Sequence, residues 1–215
     1  MAEKGGSVSA GTKDRILDVA ERLFGERGYA ATSLRAVTDA AGVNVAAVNY
    51  HFGSKEGLLR AVVDRAMRPV NEERRRLLEE FLANGGRPDV ADLVEAFVRT
   101  GANLARRRDG DGSAVSRFLG RVMSEPDPGI RQLFADEVET VEGRYLEELN
   151  RALPGVPAPD VAFRYRVMVG LLALHQAGAL ADLAPYGVSG ETAPTDADAE
   201  TDRLVAAVLA VFRAP

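Results

Sequence analysis

The chain has 215 residues, of which 46% are apolar, 27% charged and 6% aromatic, with no tryptophan and no cysteine. That length suits one or two domains that bury most of their surface without cross-links, and the missing cysteines exclude disulfides, thiolate metal sites and cysteine nucleophiles. Twenty-seven Lys and Arg against 32 Asp and Glu leave a net charge of −5, so a nucleic-acid surface on this chain has to be a local patch rather than a general basic coat.

The two histidines, His51 and His175, lie far apart in sequence. No histidine-rich metal cluster is expected, and no cofactor. The longest apolar run, Val167 to Leu174, falls well short of the ~18 residues that a membrane-spanning helix needs. The opening MAEKGGSVSAGTK lacks the apolar stretch of a secretory leader. Residues 1–11 are therefore expected to be a disordered tail, and the chain to work in the cytoplasm away from membranes.

The spacing of apolar residues is helical almost throughout, which predicts an all-α fold. A first helix is expected from Thr12 to about Arg27, with Ile16, Leu17, Ala20, Leu23 and Phe24 on one face and Gly28 ending it. Thr32 and Ser33 can cap a short helix over Leu34–Ala41. Gly42 breaks it, a second short helix runs from about Val45 to His51, and Phe52-Gly53 closes that one. Ser54 opens a long helix at Lys55 that runs to about Asn84, with Pro69 expected to kink it because a mid-helix proline removes one backbone donor. Further helices are predicted over Asp89–Arg108, Ser113–Ser124, Ile130–Leu153, Val161–Leu183 and Glu200–Arg213. An acidic loop rich in Pro, Gly and Thr spans 184–199.

The block at 32–55 carries the chemistry. Gly42 sits where a helix-turn-helix needs positive φ. Leu34, Val37, Ala41, Val43 and Val48 are spaced to lock the two short helices together, and Asn44, Asn49, Tyr50 and His51 are left to face outward, with Val45, Ala46 and Ala47 as small apolar groups suited to a major groove. A helical corner in a small all-α enzyme, or in a protein-only adaptor, would show part of this pattern. No set of nucleophile, base and oxyanion donor accompanies it.

The segment TSLRAVTDAAGVNVAAVNYHFGSKEGLL, preceded by KDRILDVAERLFGERGYAATS, resembles the DNA-binding region of the tetracycline-repressor (TetR) family of bacterial transcription regulators. The resemblance covers about residues 12–65. AGV, the aromatic YHF and SKE carry it, in order and at the family's spacing. Thr38 departs from the usual Ala beside the turn, and Asn49 from the Tyr of many members. The resemblance implies that Thr32 and Ser33 offer a helix N-terminus to phosphate, that Arg35 reaches phosphate or a guanine edge, and that Asn44, Val45, Ala46 and Ala47 begin the recognition helix. It further implies that Asn49 reads a base, and that Tyr50, His51 and Lys55 contact the backbone. Residues 12–60 carry seven Lys/Arg and six Asp/Glu, a net of +1, which predicts a shallow salt dependence of DNA binding.

The same resemblance divides the chain into a DNA-binding domain at 12–54 and a ligand-binding and dimerisation domain at 55–215. The stretch RFLGRVMSEPDPGIRQLFADEVETVEGRYLEELNRALPG is more loosely similar to PsrA-like members, some of which respond to fatty-acid-derived ligands. Candidate pocket residues are Phe97, Phe118, Arg121, Met123, Tyr145, Met168, Leu172 and His175. Candidate homodimer residues, on the last two long helices, are Phe163, Val167, Leu171, Leu174, Leu204, Val208 and Phe212. The expected protein is a dimeric, non-enzymatic repressor whose partners are a near-palindromic double-stranded operator and a small-molecule effector. Two weaker signals are set aside. Asp109-Gly-Asp111-Gly lacks the later ligands of a calcium loop, and Arg74–Arg76, interleaved with Glu72, Glu73, Glu79 and Glu80, is expected to be a solvated, salt-bridged helix face.

Overall fold

The computed structural model describes residues 5–106, 112–123, 127–182 and 197–213. Among these the chain is helical with no strand: α1 Gly5–Arg27, α2 Leu34–Ala41, α3 Val45–Phe52, α4 Lys55–Leu82, α5 Val90–Ala102, α6 Gly112–Met123, α7 Pro128–Ala152, α8 Ala158–Gln176, α9 Ala179–Asp182 and α10 Ala197–Arg213. No helix among the described residues is long and apolar enough to cross a membrane.

The boundaries follow local chemistry. Ser33, Asn44, Ser54 and Asp89 cap α2, α3, α4 and α5, and Asp89 forms a reciprocal capping box with Asp92. Three expectations need correction. Helix α1 starts at Gly5, so residues 5–11 are helical rather than a disordered tail. Helix α5 stops at Ala102 and gives way to a 3₁₀ turn over Asn103–Arg106. Helix α8 stops at Gln176, where Gly178 (φ 75°) turns the chain before the short α9. The run predicted to reach Leu183 is thus broken. The loop expected at 184–199 lies outside the described residues up to 196, and 197–199 open α10. Pro69 lies inside an unbroken α4.

Two hydrophobic cores form. One gathers α1, α2, α3, the first half of α4, and then α6 and the start of α7, from Ile16 and Phe24 through Val48, Leu58 and Val70 to Phe118, Leu119 and Phe134. The other gathers the end of α4 with α5, α7, α8 and α10 around Leu78, Phe97, Tyr145, Met168 and Val208. Packing therefore does not divide at residues 54/55. Helix α4 contributes to both cores, and α6, a C-terminal helix by sequence, belongs to the N-terminal one, where Phe118 stacks on Phe24 at 6.3 Å. At Gly120 α6 approaches α8 so closely that a Cβ would lie 2.7 Å from the Ala173 carbonyl oxygen. Arg65 ties α4 to α1 through Asp18 (2.7 Å) and Glu21 (2.9 Å).

Candidate nucleic-acid interface and effector cavity

The turn between α2 and α3 is built as its sequence requires. Gly42 adopts a left-handed conformation (φ 63°, ψ 39°), its N–H donates to the Asp39 carbonyl, and the Val43 N–H donates to the Thr38 carbonyl at 3.0 Å. The Asn44 side chain then accepts from the Ala47 N–H at 2.9 Å and starts α3. Thr38, the departure beside the turn, is buried, but its hydroxyl donates to the Arg35 carbonyl at 3.0 Å and so leaves no unmet polar group in the corner.

Helix α3 buries one residue fully, Val48, while Ala47 and Phe52 pack partly against the core. Its other face is bare. Asn44, Val45, Ala46 and Asn49 are exposed, and Tyr50 shows 83% of its surface to solvent, far more than an aromatic ring shows when it serves a core. Tyr50 meets the half-buried His51 edge-on at 5.0 Å. Ser33 and Arg35 are exposed on α2, with Arg35 in a loose pair with Asp39 at 3.8 Å. Ser33, Arg35, Asn44, Val45, Ala46, Asn49 and Tyr50 are thus all exposed, and Ala47 and His51 half-buried.

Two expected contact residues do not reach the surface freely. Thr32 is buried; its hydroxyl donates to the Gly28 carbonyl (2.8 Å) and the Leu23 carbonyl (3.2 Å), and its N–H to Tyr29. It locks the end of α1 and offers nothing outward. Lys55 folds inward, its Nζ donating to the Tyr29 carbonyl at 2.6 Å and lying 4.0 Å over the Tyr29 ring. Sequence spacing could not show this, because Tyr29 stands 26 residues earlier.

A second site lies between α7 and α8. A cavity of about 540 Å³ is lined by Met123, Phe134, Leu146, Tyr165, Val169 and Gly170 on its apolar side, and by Glu142, Glu139, Asp136, Gln132, Arg131 and Arg166 among its polar groups. Of the pocket residues expected from sequence only Met123 lines it. Phe118 belongs to the N-terminal core and Arg121 is exposed on α6. Phe97, Tyr145, Met168 and Leu172 fill the C-terminal core, and His175 sits 3.6 Å from Glu200 of α10. They lie on buried helix faces, as the spacing said, but those faces meet each other rather than a void.

Behind the cavity lies a buried polar cluster. Arg74, expected on a solvated face, is almost wholly buried. Its guanidinium lies 3.5 Å over the Phe97 ring, donates to the Phe97 carbonyl and to Thr100 Oγ1 (both 3.2 Å), and stands 3.9 Å from Glu142. Only Arg75 and Arg76 form the expected surface pairs, with Glu79, Glu73 and Glu80. Tyr145 donates to the Arg74 carbonyl at 3.1 Å. Burial raises the pKa of Glu142 from its ordinary value, partly offset by Arg74 and Tyr165, and burial also pushes Tyr145 up to about 12. The signal for Arg74 was available: it falls in the apolar series Met67, Val70, Arg74, Leu78.

Residues 16–62 match the family described as "Bacterial regulatory proteins, tetR family", and residues 95–210 match "Tetracyclin repressor-like, C-terminal domain". The chain belongs to the TetR family of transcriptional regulators. This is a family of non-enzymatic DNA-binding proteins. Among its relatives is the HTH-type transcriptional repressor KstR2 of Rhodococcus jostii, 33% identical over 67% of this chain and 60% of the relative's length. The fold is shared with the fatty acid degradation regulator FadR of Bacillus halodurans (TM-score 0.66, 16% identity, 99% of this chain and 100% of that one). It is also shared with the FadR of Bacillus subtilis solved with stearoyl-CoA (TM-score 0.65, 14% identity, 92% and 98%).

Proposed function

We propose that this regulator is a homodimeric repressor that holds a near-palindromic operator through α3 and releases it when a small, fatty-acid-derived effector fills the cavity between α7 and α8. The observation that carries the reading is the bare face of α3. Asn49 and Tyr50 are held outward by a rigid capped turn and serve no internal contact that would explain their placement. In a dimer the two α3 helices would enter successive major grooves ~34–36 Å apart. Ser33 and Arg35 would meet the backbone beside them. The cavity falls inside the roughly 300–1,000 Å³ range of small-molecule sites. A protein of the same fold holding an acyl thioester supports an acyl-type effector.

The dimer surface needs revision. Leu204, Val208 and Phe212 are buried against their own chain. The exposed apolar residues of α8 are Phe163 (59% exposed) and Leu174, with the half-buried Val167 and Leu171 between them, and Arg203, Ala206, Ala207 and Ala210 are exposed on α10. That face is our dimer interface, and Phe163→Glu should turn a dimer into a monomer in light scattering.

Coupling between the two sites has a physical path. Phe134 and Met123 line the cavity and also pack into the core that holds α1, α3 and the first half of α4. A ligand pressing on them pushes on that core. A coupling of ~1–3 kcal/mol would change operator affinity about 5–150-fold. The test is selection of genomic fragments on the full chain, followed by footprinting. Two protected half-sites one helical turn apart are expected, and a chain that enriches no fragment would overturn the reading.

A further inference from the structure

The floor of the cavity restricts what kind of molecule can occupy it, on the reading of that cavity as the effector site. Glu142 faces the cavity with 18% of its side chain exposed, and its two polar neighbours hold it only loosely. Arg74 is 3.9 Å away, with its donors directed at the Phe97 carbonyl and Thr100. Tyr165, whose residue is only 8% exposed, has a buried hydroxyl that interacts with the Glu142 carboxylate without reaching good hydrogen-bond geometry. A carboxylate and a hydroxyl, both largely buried and only loosely engaged with each other, thus flank the same cavity.

Charge decides between the groups that could settle there. Glu142 and Arg74 already balance. A carboxylate pushed to this floor would bring a second negative charge against Glu142, and an ammonium would add an unbalanced cation beside Arg74; both would be desolvated without compensation. A neutral hydroxyl adds no charge, donates to Glu142 and brings an acceptor to Tyr165. We propose that the effector is an apolar alcohol whose hydroxyl end binds at Glu142 and Tyr165.

Three probes of one chain length test this on the full-length protein by calorimetric titration: 1-decanol, decanoate and decylamine. Decanol is expected to bind tenfold or more tighter than either. Tyr165→Phe should weaken decanol about tenfold with little change in the melting temperature of the free protein, because the deleted hydroxyl makes no well-formed hydrogen bond there. A merely structural tyrosine would instead show the loss in melting. Glu142→Gln, which leaves Arg74 uncompensated, should reverse the order of decanol and decanoate. The proposal is overturned if decanoate or decylamine binds as tightly as decanol, or if Tyr165→Phe binds decanol like the unaltered chain; the cavity then stands as an effector site of other chemistry. If no probe binds, the cavity reading falls as well. Operator binding of the same sample then reports separately on the DNA-binding reading.

Discussion

The α3 face and the α7–α8 cavity treat polar groups in opposite ways. On α3, Asn49 and Tyr50 stand in solvent, and the surrounding caps hold the helix without using them. Around Glu142 the polar groups lie under the surface, close together and only partly satisfied. The first arrangement costs little stability and is ready for a large hydrated partner such as DNA. The second holds a buried charge pair in a poor geometry, and such a site gains by taking up a molecule that completes it. An exposed site can be read by removing its side chains, whereas a buried one answers through stability as well as binding.

The sharpest way to break this contrast is Arg74→Ala. It strips Glu142 of its only described cationic partner, so a loss of about 3–5 kcal/mol is expected. In a chain of this size that lowers the melting temperature by roughly 10 °C, and thermal unfolding followed by circular dichroism reads it. A loss under a degree would mean that the pair is not buried as described. Next in size, Tyr50→Ala should weaken operator binding by about 1–3 kcal/mol and leave stability within ~0.5 kcal/mol, checked by fluorescence anisotropy of labelled operator beside a melting curve. If the same change instead lowered stability by several kcal/mol, Tyr50 would belong with the buried groups.

Gly42→Val tests the frame of α3 itself. A branched residue at φ 63° is strained by about 1–2 kcal/mol, so hydrogen exchange in α2 and α3 should quicken while the C-terminal core stays protected. The smallest effect is in pH. Burial raises the Glu142 pKa in the folded state, so its contribution to stability is full below its ordinary value of 4.5 and is lost as pH rises through the folded value. The melting temperature of the unaltered chain minus that of Glu142→Gln should therefore be larger at pH 4 than at pH 7. A flat difference would show that Glu142 titrates as it does in water.

These two regions also differ in how far sequence reveals them. Helices α2 and α3 could be read almost to the residue, because Ser33, Gly42 and Asn44 act on neighbours three or four positions away. The α3 surface followed from the same local rules. Lys55 and Thr32 escaped, since Lys55 is taken up by Tyr29, 26 residues earlier, and Thr32 by the Leu23 and Gly28 carbonyls at the end of α1. The cavity was misplaced for a related reason. Periodicity identifies which face of a helix is buried, but not whether that face meets another side chain or a void. Phe97 and Tyr145 meet each other edge-on at 5.4 Å, while Glu142, one turn before Tyr145, helps line the opening. Phe118 shows the limit of domain division by sequence, since it lies past residue 100 and packs in the core of the first helix.

Helix α4 runs without interruption from Lys55 to Leu82 and carries Arg74 near one end. From Arg74 to Lys55 is ~29 Å along the helix at 1.5 Å per residue. A tilt of about 4° about Arg74 would carry the far tip ~2 Å, and two mirrored protomers ~4 Å, more than the ~3.4 Å rise between neighbouring base pairs. Such a tilt, with the N-terminal helices moving along with α4, would be enough to put a pair of reading heads one step out of phase with the double helix.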